Sequence, residues 1–434
     1  MSRERLYIVV FIASIIILAT VSASQAGSVG KPEVSEDSSA ATTTSASWLG
    51  SEINVCCNDE YDQQRPEVVY NRNHGEYMIV YHDGYSPNQV AGTRLNKDGN
   101  PFNWFAIAAI GAPDNINPDV AYSGYDDKYL VVWQQYNSSQ NLWEIYGRFI
   151  PWDGPDYTIT PFLIAQWSSM NLMYPKVAWN SYRNEYMVVW QTESTSSQLL
   201  GIGRRRIGAN GAMLSNADYI TQANSPGFPD ITYNPASDQY LVVWAQIGNY
   251  YIDVYGGRLN REGTLQNTIF SIGADVNEQQ FPVVTTNEQD RYLVVWQDDR
   301  LVQYDIDIYA QFLDVGGNPI GGNFWVAVSG DNETHPAVAA NGLSQKYMIA
   351  YQKTTDSGES IWANLIDENA VFLDWFEVAP GGFGDNKNPA VATHSGYYVI
   401  YEWTSWTPGS TSELYGRTWS QHSLFLPLTV KGAN

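Results

Sequence analysis

Residues 240–244, Tyr-Leu-Val-Val-Trp, return in altered form six more times, starting at Tyr77, Tyr129, Tyr186, Tyr292, Tyr347 and Tyr397. Each copy follows a Pro-x-Val/Ile segment and precedes an Ile-Tyr-Gly-like segment. The landmark prolines Pro66, Pro118, Pro175, Pro229, Pro282, Pro336 and Pro389 stand 52 to 57 residues apart. A unit of this length is one supersecondary module that buries its apolar faces only against its neighbours, as in propellers and solenoids. Repeats extend one continuous core, so 434 residues read as one large domain rather than two or three.

Each unit holds four strand candidates. The first contains the proline and small residues, as in 229–233 and 336–340, and fits the crowded centre of a ring. The second is the near-continuous apolar run, suited to a strand covered on both faces. The third alternates, as in 308–312, and runs into turns ending at Gly99, Gly154, Gly211, Gly263 and Gly317, where glycine supplies a positive φ. The fourth is weaker, as in 269–272, which suits an outer, half-solvated strand. A fourth-type segment, 53–56, precedes the first proline, and none follows the last third-type segment, 414–418. The N-terminal strand is therefore expected to complete the last sheet. Closure removes the exposed sheet edges of an open array. The expected fold is all-β: a seven-bladed β-propeller of four-stranded antiparallel blades over 51–420, with an open β-solenoid as the alternative.

Outside the repeats, 1–26 has Arg3 and Arg5, a short apolar run and small residues, the layout of a signal peptide. Residues 27–50 are rich in Ser, Thr and Ala and suit a flexible spacer, and 421–434 form a C-terminal tail. Secretion or display at the cell surface follows, with no membrane attachment after cleavage. Cys56 and Cys57 are the only cysteines; being adjacent, they cannot join distant strands. The net charge of −23 opposes contact with nucleic acid and anionic lipid. Charged residues are only 16% against roughly 25% in ordinary proteins, so the surface must be rich in amides, hydroxyls and tyrosine.

The pattern Pro-x-Val-Ala-Tyr-Asn, Tyr-Leu-Val-Val-Trp-Gln, Ile-Tyr-Gly-x-Arg resembles repeats of large secreted bacterial proteins that are mostly uncharacterised. Residues 424–431, Leu-Phe-Leu-Pro-Leu-Thr-Val-Lys, are similar to a C-terminal tail of exported proteins of filamentous green non-sulfur bacteria. The first resemblance implies the propeller; neither implies catalytic residues.

Repetition separates scaffold from site, because one site does not need seven copies. The strand-two aromatics Trp133, Trp190, Trp244, Trp296, Tyr81, Tyr351 and Tyr401 recur and read as core. So do Glu144, Asp253, Asp307 and Glu413 before strand three, and Arg94, Arg206 and Arg258 within it, as loop-fixing partners. The run Arg204-Arg205-Arg206 reads as a solvated strand edge. Features confined to one blade, and aromatics on the loop face, are the candidates. Asp298, Asp299, Asp305 and Asp307 concentrate hard oxygen ligands in blade five and suit calcium. Tyr174, Phe228 and Phe281 each precede a landmark proline and are expected at the channel mouth. Trp403 and Trp406 follow the last strand-two segment. These five aromatics are expected on the face that carries the longer loops, the usual place for binding on a rigid scaffold. No zinc spacing, serine elbow or phosphate loop occurs. The function expected is binding or scaffolding, with polysaccharide or a surface protein as partner. The alternatives are a carbohydrate-active enzyme, glycoside hydrolase or lyase, with a carboxylate pair at the channel mouth, and a structural surface subunit.

Overall fold

The computed structural model describes residues 47–421, apart from 57–60, 85–86, 109–112, 197, 223, 249, 303–304, 383, 394–395 and 408–409. The expected signal peptide, most of the spacer and nearly all of the tail lie outside the described residues, as do Cys57, Tyr304, His394 and His422. Every regular element among the described residues is a strand. They form seven antiparallel sheets in a ring, over 63–106 (β3–β6), 115–165 (β7–β10), 170–221 (β11–β14), 227–273 (β15–β18), 279–327 (β19–β22), 332–379 (β23–β26), and a last one over 384–421 (β27–β29) joined by 47–54 (β1 and β2). This is the seven-bladed β-propeller that the repeats predict.

The ring closes as the phase of the repeat requires. β2 (Ile53–Asn54) pairs with β29 (Ser412–Gln421), Ile53 opposite Gly416. β1 (Ser47–Leu49), at the end of the stretch expected as spacer, pairs with the same strand further along. Val55 continues the ladder with its N–H on the Leu414 carbonyl at 2.9 Å. Its side chain is fully buried among Tyr77, Tyr81, Tyr398 and Ile400, which come from the first and last blades.

The core is a series of clusters between neighbouring blades. One joins Met187 and Val189 of β12 (Glu185–Ser194) to Tyr240, Val242 and Trp244 of β16 (Gln239–Ile247). The strand-two aromatics are buried in all seven blades, as repetition implies. The glycine of the Ile-Tyr-Gly segment has a steric reason in blade seven, where a Cβ on Gly416 would lie 2.1 Å from the Tyr398 hydroxyl oxygen. The recurring arginines are structural too. Arg94 and Arg206 make buried two-armed ion pairs with Glu76 and Glu185. Arg258 bonds the Gln239 side chain and the Val315 carbonyl.

Two local expectations change. Arg204, Arg205 and Arg206 are not a solvated edge: Arg206 holds Glu185, and Arg205 donates to the Ser215 carbonyl in its own blade and to the Ile164 carbonyl of blade two. The face expected to carry the five aromatics does not carry the longer loops. Strands two and three run on as paired hairpins, so that β20 (Arg291–Val302) and β21 (Asp305–Asp314) leave only 303–304 between them. The face expected to carry loops is a face of projecting hairpins, whereas blades two and three have connections of 152–161 and 209–217 on the opposite face.

Candidate functional site: the mouth of the central channel

Every first strand is broken by a bulge at its landmark proline, for example between Met173 and Lys176 and between Gln280 and Val283. Proline has no N–H and is tolerated in a strand at such a bulge. The residue before it adopts a left-handed conformation in all seven blades: Arg65, Asn117, Tyr174, Phe228, Phe281, His335 and Asn388 have φ between 48° and 54°. For a residue other than glycine this costs about 1–2 kcal/mol, so something must hold it there.

At four of the seven positions the holder is the residue after the strand-two aromatic in the preceding blade; ahead of Phe281 that residue is Ala245, which has no side-chain acceptor. Gln134 accepts from the Tyr174 N–H at 2.8 Å, Gln191 from Phe228 at 2.9 Å and Gln297 from His335 at 2.9 Å. Across the seam between last and first blades, Glu402 accepts from the Arg65 N–H. The glutamine of the Trp-Gln repeat is thus an inter-blade clamp.

The backbone of this position is common to seven blades, but the side chains differ. Left-handed geometry favours Gly and Asn, yet four consecutive blades place Tyr174, Phe228, Phe281 and His335 here. Their rings form an arc, with centroids 6.0 Å apart for Tyr174–Phe228, 4.5 Å for Phe228–Phe281 and 6.1 Å for Phe281–His335. The other three blades contribute Asn388, Arg65 and Asn117. The Asn117 amide donates to Gln134 and the Asn388 amide to Glu402. Because the bulge lies near the start of each first strand, this ring of seven is at the hairpin face.

His335 exposes surface, but into the channel rather than to bulk solvent. Enclosure there, with the like charges of Arg65 and Lys387, lowers it to about 4, so the imidazole is neutral at pH 7. The same enclosure and Arg65 lower His82 to about 3. Burial raises Glu402 against the opposing pull of Asn388 and Arg65.

One position beyond each proline is a second layer. Blades one to four carry Glu67, Asp119, Lys176 and Asp230; blades five to seven carry Val283, Ala337 and Ala390. Lys176 in blade three is hydrogen-bonded to Glu67 in blade one and lies 3.9 Å from Asp119. Contact across an intervening blade places these ends in the channel. Asp119 also accepts the Val177 N–H at 2.6 Å, and Asp230 the Val284 N–H at 2.8 Å, each from the next blade. Desolvation raises Asp119 and Asp230 above the ordinary carboxylate range; Lys176 opposes this and Glu67 adds to it. Three carboxylates therefore share one ammonium beneath the aromatic arc.

The structure thus brings together Tyr174, Phe228 and Phe281, and adds His335, Arg65, Asn117 and Asn388, whose position before a landmark proline was a readable signal. Trp403 and Trp406 lie on the same face but in the blade-seven hairpin. Trp403 meets Tyr415 edge-on at 5.8 Å, and Trp406 donates its indole N–H to Asp385 at 3.0 Å, close against Gly358 of blade six.

The four blade-five aspartates do not converge. Asp298 is enclosed by the Arg300 guanidinium and the Trp296 indole, and Asp299 accepts the Glu278 N–H at 2.5 Å. Asp305 stands at the start of β21, two residues before Asp307. Among the described residues, no three His, Cys, Asp or Glu side chains are grouped to hold a metal ion. Asp307 lies opposite Asp298 in the ladder, buried, and neither carboxylate oxygen has a hydrogen-bond partner. Burial, Asp305 and Glu333 raise it to about 7, while the nearby Ser329 N–H, outside hydrogen-bonding geometry, pulls weakly the other way. Its proton is held more tightly in the folded chain than at the ordinary 3.8, so the stability it contributes is full below pH 3.8 and lost as pH rises through 7. Asp307→Asn is therefore expected to melt higher than the parent at pH 8 and no higher at pH 4. A pH series of thermal melts checks this, and a pH-independent difference would contradict it.

No protein-family model matches the chain, and no curated protein matches it. Among solved structures it is similar to a protein of unknown function from Dyadobacter fermentans, with a TM-score of 0.54 and 12% identity over 87% of this chain and 99% of that one. It also matches the β-propeller domain of the Trilobed protease of Pyrococcus furiosus, with a TM-score of 0.47 and 9% identity over 82% of this chain and 95% of that one. A third match is the α-L-arabinanase of Penicillium chrysogenum, with a TM-score of 0.47 and 10% identity over 85% of this chain and 98% of that one. At these identities likeness speaks to fold alone, and the propeller architecture rests on the seven sheets of this chain itself.

Proposed function

We propose that this protein is a non-catalytic glycan-binding propeller that takes a polysaccharide at the hairpin-face mouth of its channel. The observation that carries the reading is the arc Tyr174–Phe228–Phe281–His335. Four adjacent blades place flat rings at a strained position whose backbone does not ask for them. Flat faces stack on the C–H faces of sugar rings, and the neutral His335 imidazole, Asn117 and Asn388 supply hydrogen bonds for hydroxyls. Inter-blade clamps hold Tyr174, Phe228 and His335, three of the four rings, which lowers the entropy lost on binding.

A second reading, a glycoside hydrolase or lyase, draws on Glu67, Asp119 and Asp230, the last two with raised pKa values, directly below the arc. Their commitments to Lys176 and to the N–H groups of Val177 and Val284 favour a structural role instead. One experiment separates the readings: incubate the protein with a broad polysaccharide panel and record the bound fraction together with new reducing ends. The proposal expects binding without release. Phe228→Ala and Phe281→Ala should each weaken binding by roughly tenfold or more, the scale of a central aromatic contact, about 1.4 kcal/mol or above. Release that disappears in Asp119→Asn would establish the enzyme.

A further inference from the structure

The charges beneath the arc go beyond a neutral sugar. At the ring, Arg65 and Lys387 are the cations; Glu402 lies between them, and Asp385 pairs with Lys387 at 3.0 Å. These four balance. In the layer below, the carboxyls of Glu67, Asp119 and Asp230 face a single cation, Lys176; burial favours the protonated form of the two aspartates, and a second cation there would favour their ionised form. The imbalance has visible consequences: Lys176 reaches two blades away to Glu67, and both aspartates borrow N–H donors from the next blade. These side chains keep water-accessible surface inside the channel, 26% for Lys176, 33% for Glu67 and 13% for Asp119. The whole chain, at −23, adds a long-range field of the same sign.

The aromatic arc lies over that acidic layer, with Tyr174 and Phe228 in the blades that carry Lys176 and Asp230. A π-face attracts a cation, more strongly when the pair is desolvated, and carboxylates behind it add to the attraction. Lys176 shows that an ammonium is accepted at this depth of the channel. Resting on the glycan reading above, we propose that the mouth prefers a cationic glycan, a polymer of amino sugars with free, protonated amines. One sugar ring stacks on Phe228 and Phe281 while its ammonium faces the carboxylates of Glu67, Asp119 and Asp230. No covalent step is involved. An acidic polysaccharide is disfavoured by the same charges.

The test uses four probes on the chain over residues 27–434: a deacetylated glucosamine oligomer, its N-acetylated counterpart of equal length, a neutral β-glucan and polygalacturonate. Calorimetric titration at pH 5.5 is carried out at low and at high salt. The deacetylated oligomer is expected to bind at least tenfold more tightly than the N-acetylated one. The gap should narrow at high salt, as screening requires. Asp230→Asn and, independently of the Val284 contact, Glu67→Gln should each shrink the ratio of the two affinities. Equal affinity for the acetylated and deacetylated oligomers, or tighter binding of polygalacturonate, overturns the charge preference and leaves the glycan reading standing. Failure of all four probes to bind counts against both.

Discussion

A chain that begins at Asp62 instead of Ser45 is expected to lose most of its cooperative stability. The shorter chain lacks β1 and β2, and β29 becomes an exposed edge. Val55 and its burial disappear, worth about 1.5–3 kcal/mol for a side chain of this kind. The seam loses the hydrogen bonds of Gly50 with Thr418, Val55 with Leu414 and Asn54 with Glu413, and the contact of Glu52 with Tyr401. At about 1 kcal/mol each, the combined loss rivals the 5–15 kcal/mol by which a typical domain is stable. The first and last blades, which share the cluster around Tyr77 and Tyr398, should separate first. Thermal unfolding of the two chains measures this; melting points within a degree or two of each other would mean that closure contributes little.

The second large effect is expected at the Arg94–Glu76 pair. Both side chains are nearly inaccessible, at 8% and 6%. Glu76 also receives the Tyr129 hydroxyl, and the guanidinium lies 4.7 Å from the centre of the Phe102 ring. Arg94→Met leaves a buried carboxylate without its counter-charge, which costs about 3–5 kcal/mol. Adding Glu76→Gln to Arg94→Met should recover a large part of this, because the uncompensated charge goes. Arg72, paired with Glu288 at 62% and 50% exposure, is the control. Arg72→Met should cost about 1 kcal/mol or less, as exposed pairs do. Denaturant titration of these variants distinguishes the cases. Similar losses for Arg94→Met and Arg72→Met would contradict this account of the third-strand arginines.

The blades and their closure were legible because they repeat: Tyr-Leu-Val-Val-Trp marks the buried strand, and the spare segment at 53–56 marks the seam. Hairpin lengths were not, because residues such as Gln297 and Asp298 look like loop yet continue the ladder, opposite Ile308 and Asp307. Tyr174, Phe228 and Phe281 were singled out by their place before proline. His335 occupies the same place, but a single histidine without metal-ligand spacing carries no signal of its own in the sequence. The acidic layer was hidden by distance, since Lys176 and Glu67 are 109 residues apart. The blade-five acids looked like a cation cage because sequence cannot show that Arg300 turns back onto Asp298.

The central claim is that binding is located at the channel mouth, and the exposed aromatic rim provides the contrast. Trp325 and Trp375, 55% and 68% exposed on the outer strands of blades five and six, offer flat faces without the clamps or the ring. The decisive measurement compares the affinity of one bound polysaccharide for the parent, for Phe228→Ala/Phe281→Ala and for Trp325→Ala/Trp375→Ala, with melting points as a check on folding. The account predicts a loss of at least tenfold in the mouth variant and no change in the rim variant. Unchanged affinity in a folded mouth variant, with loss in the rim variant, would contradict it.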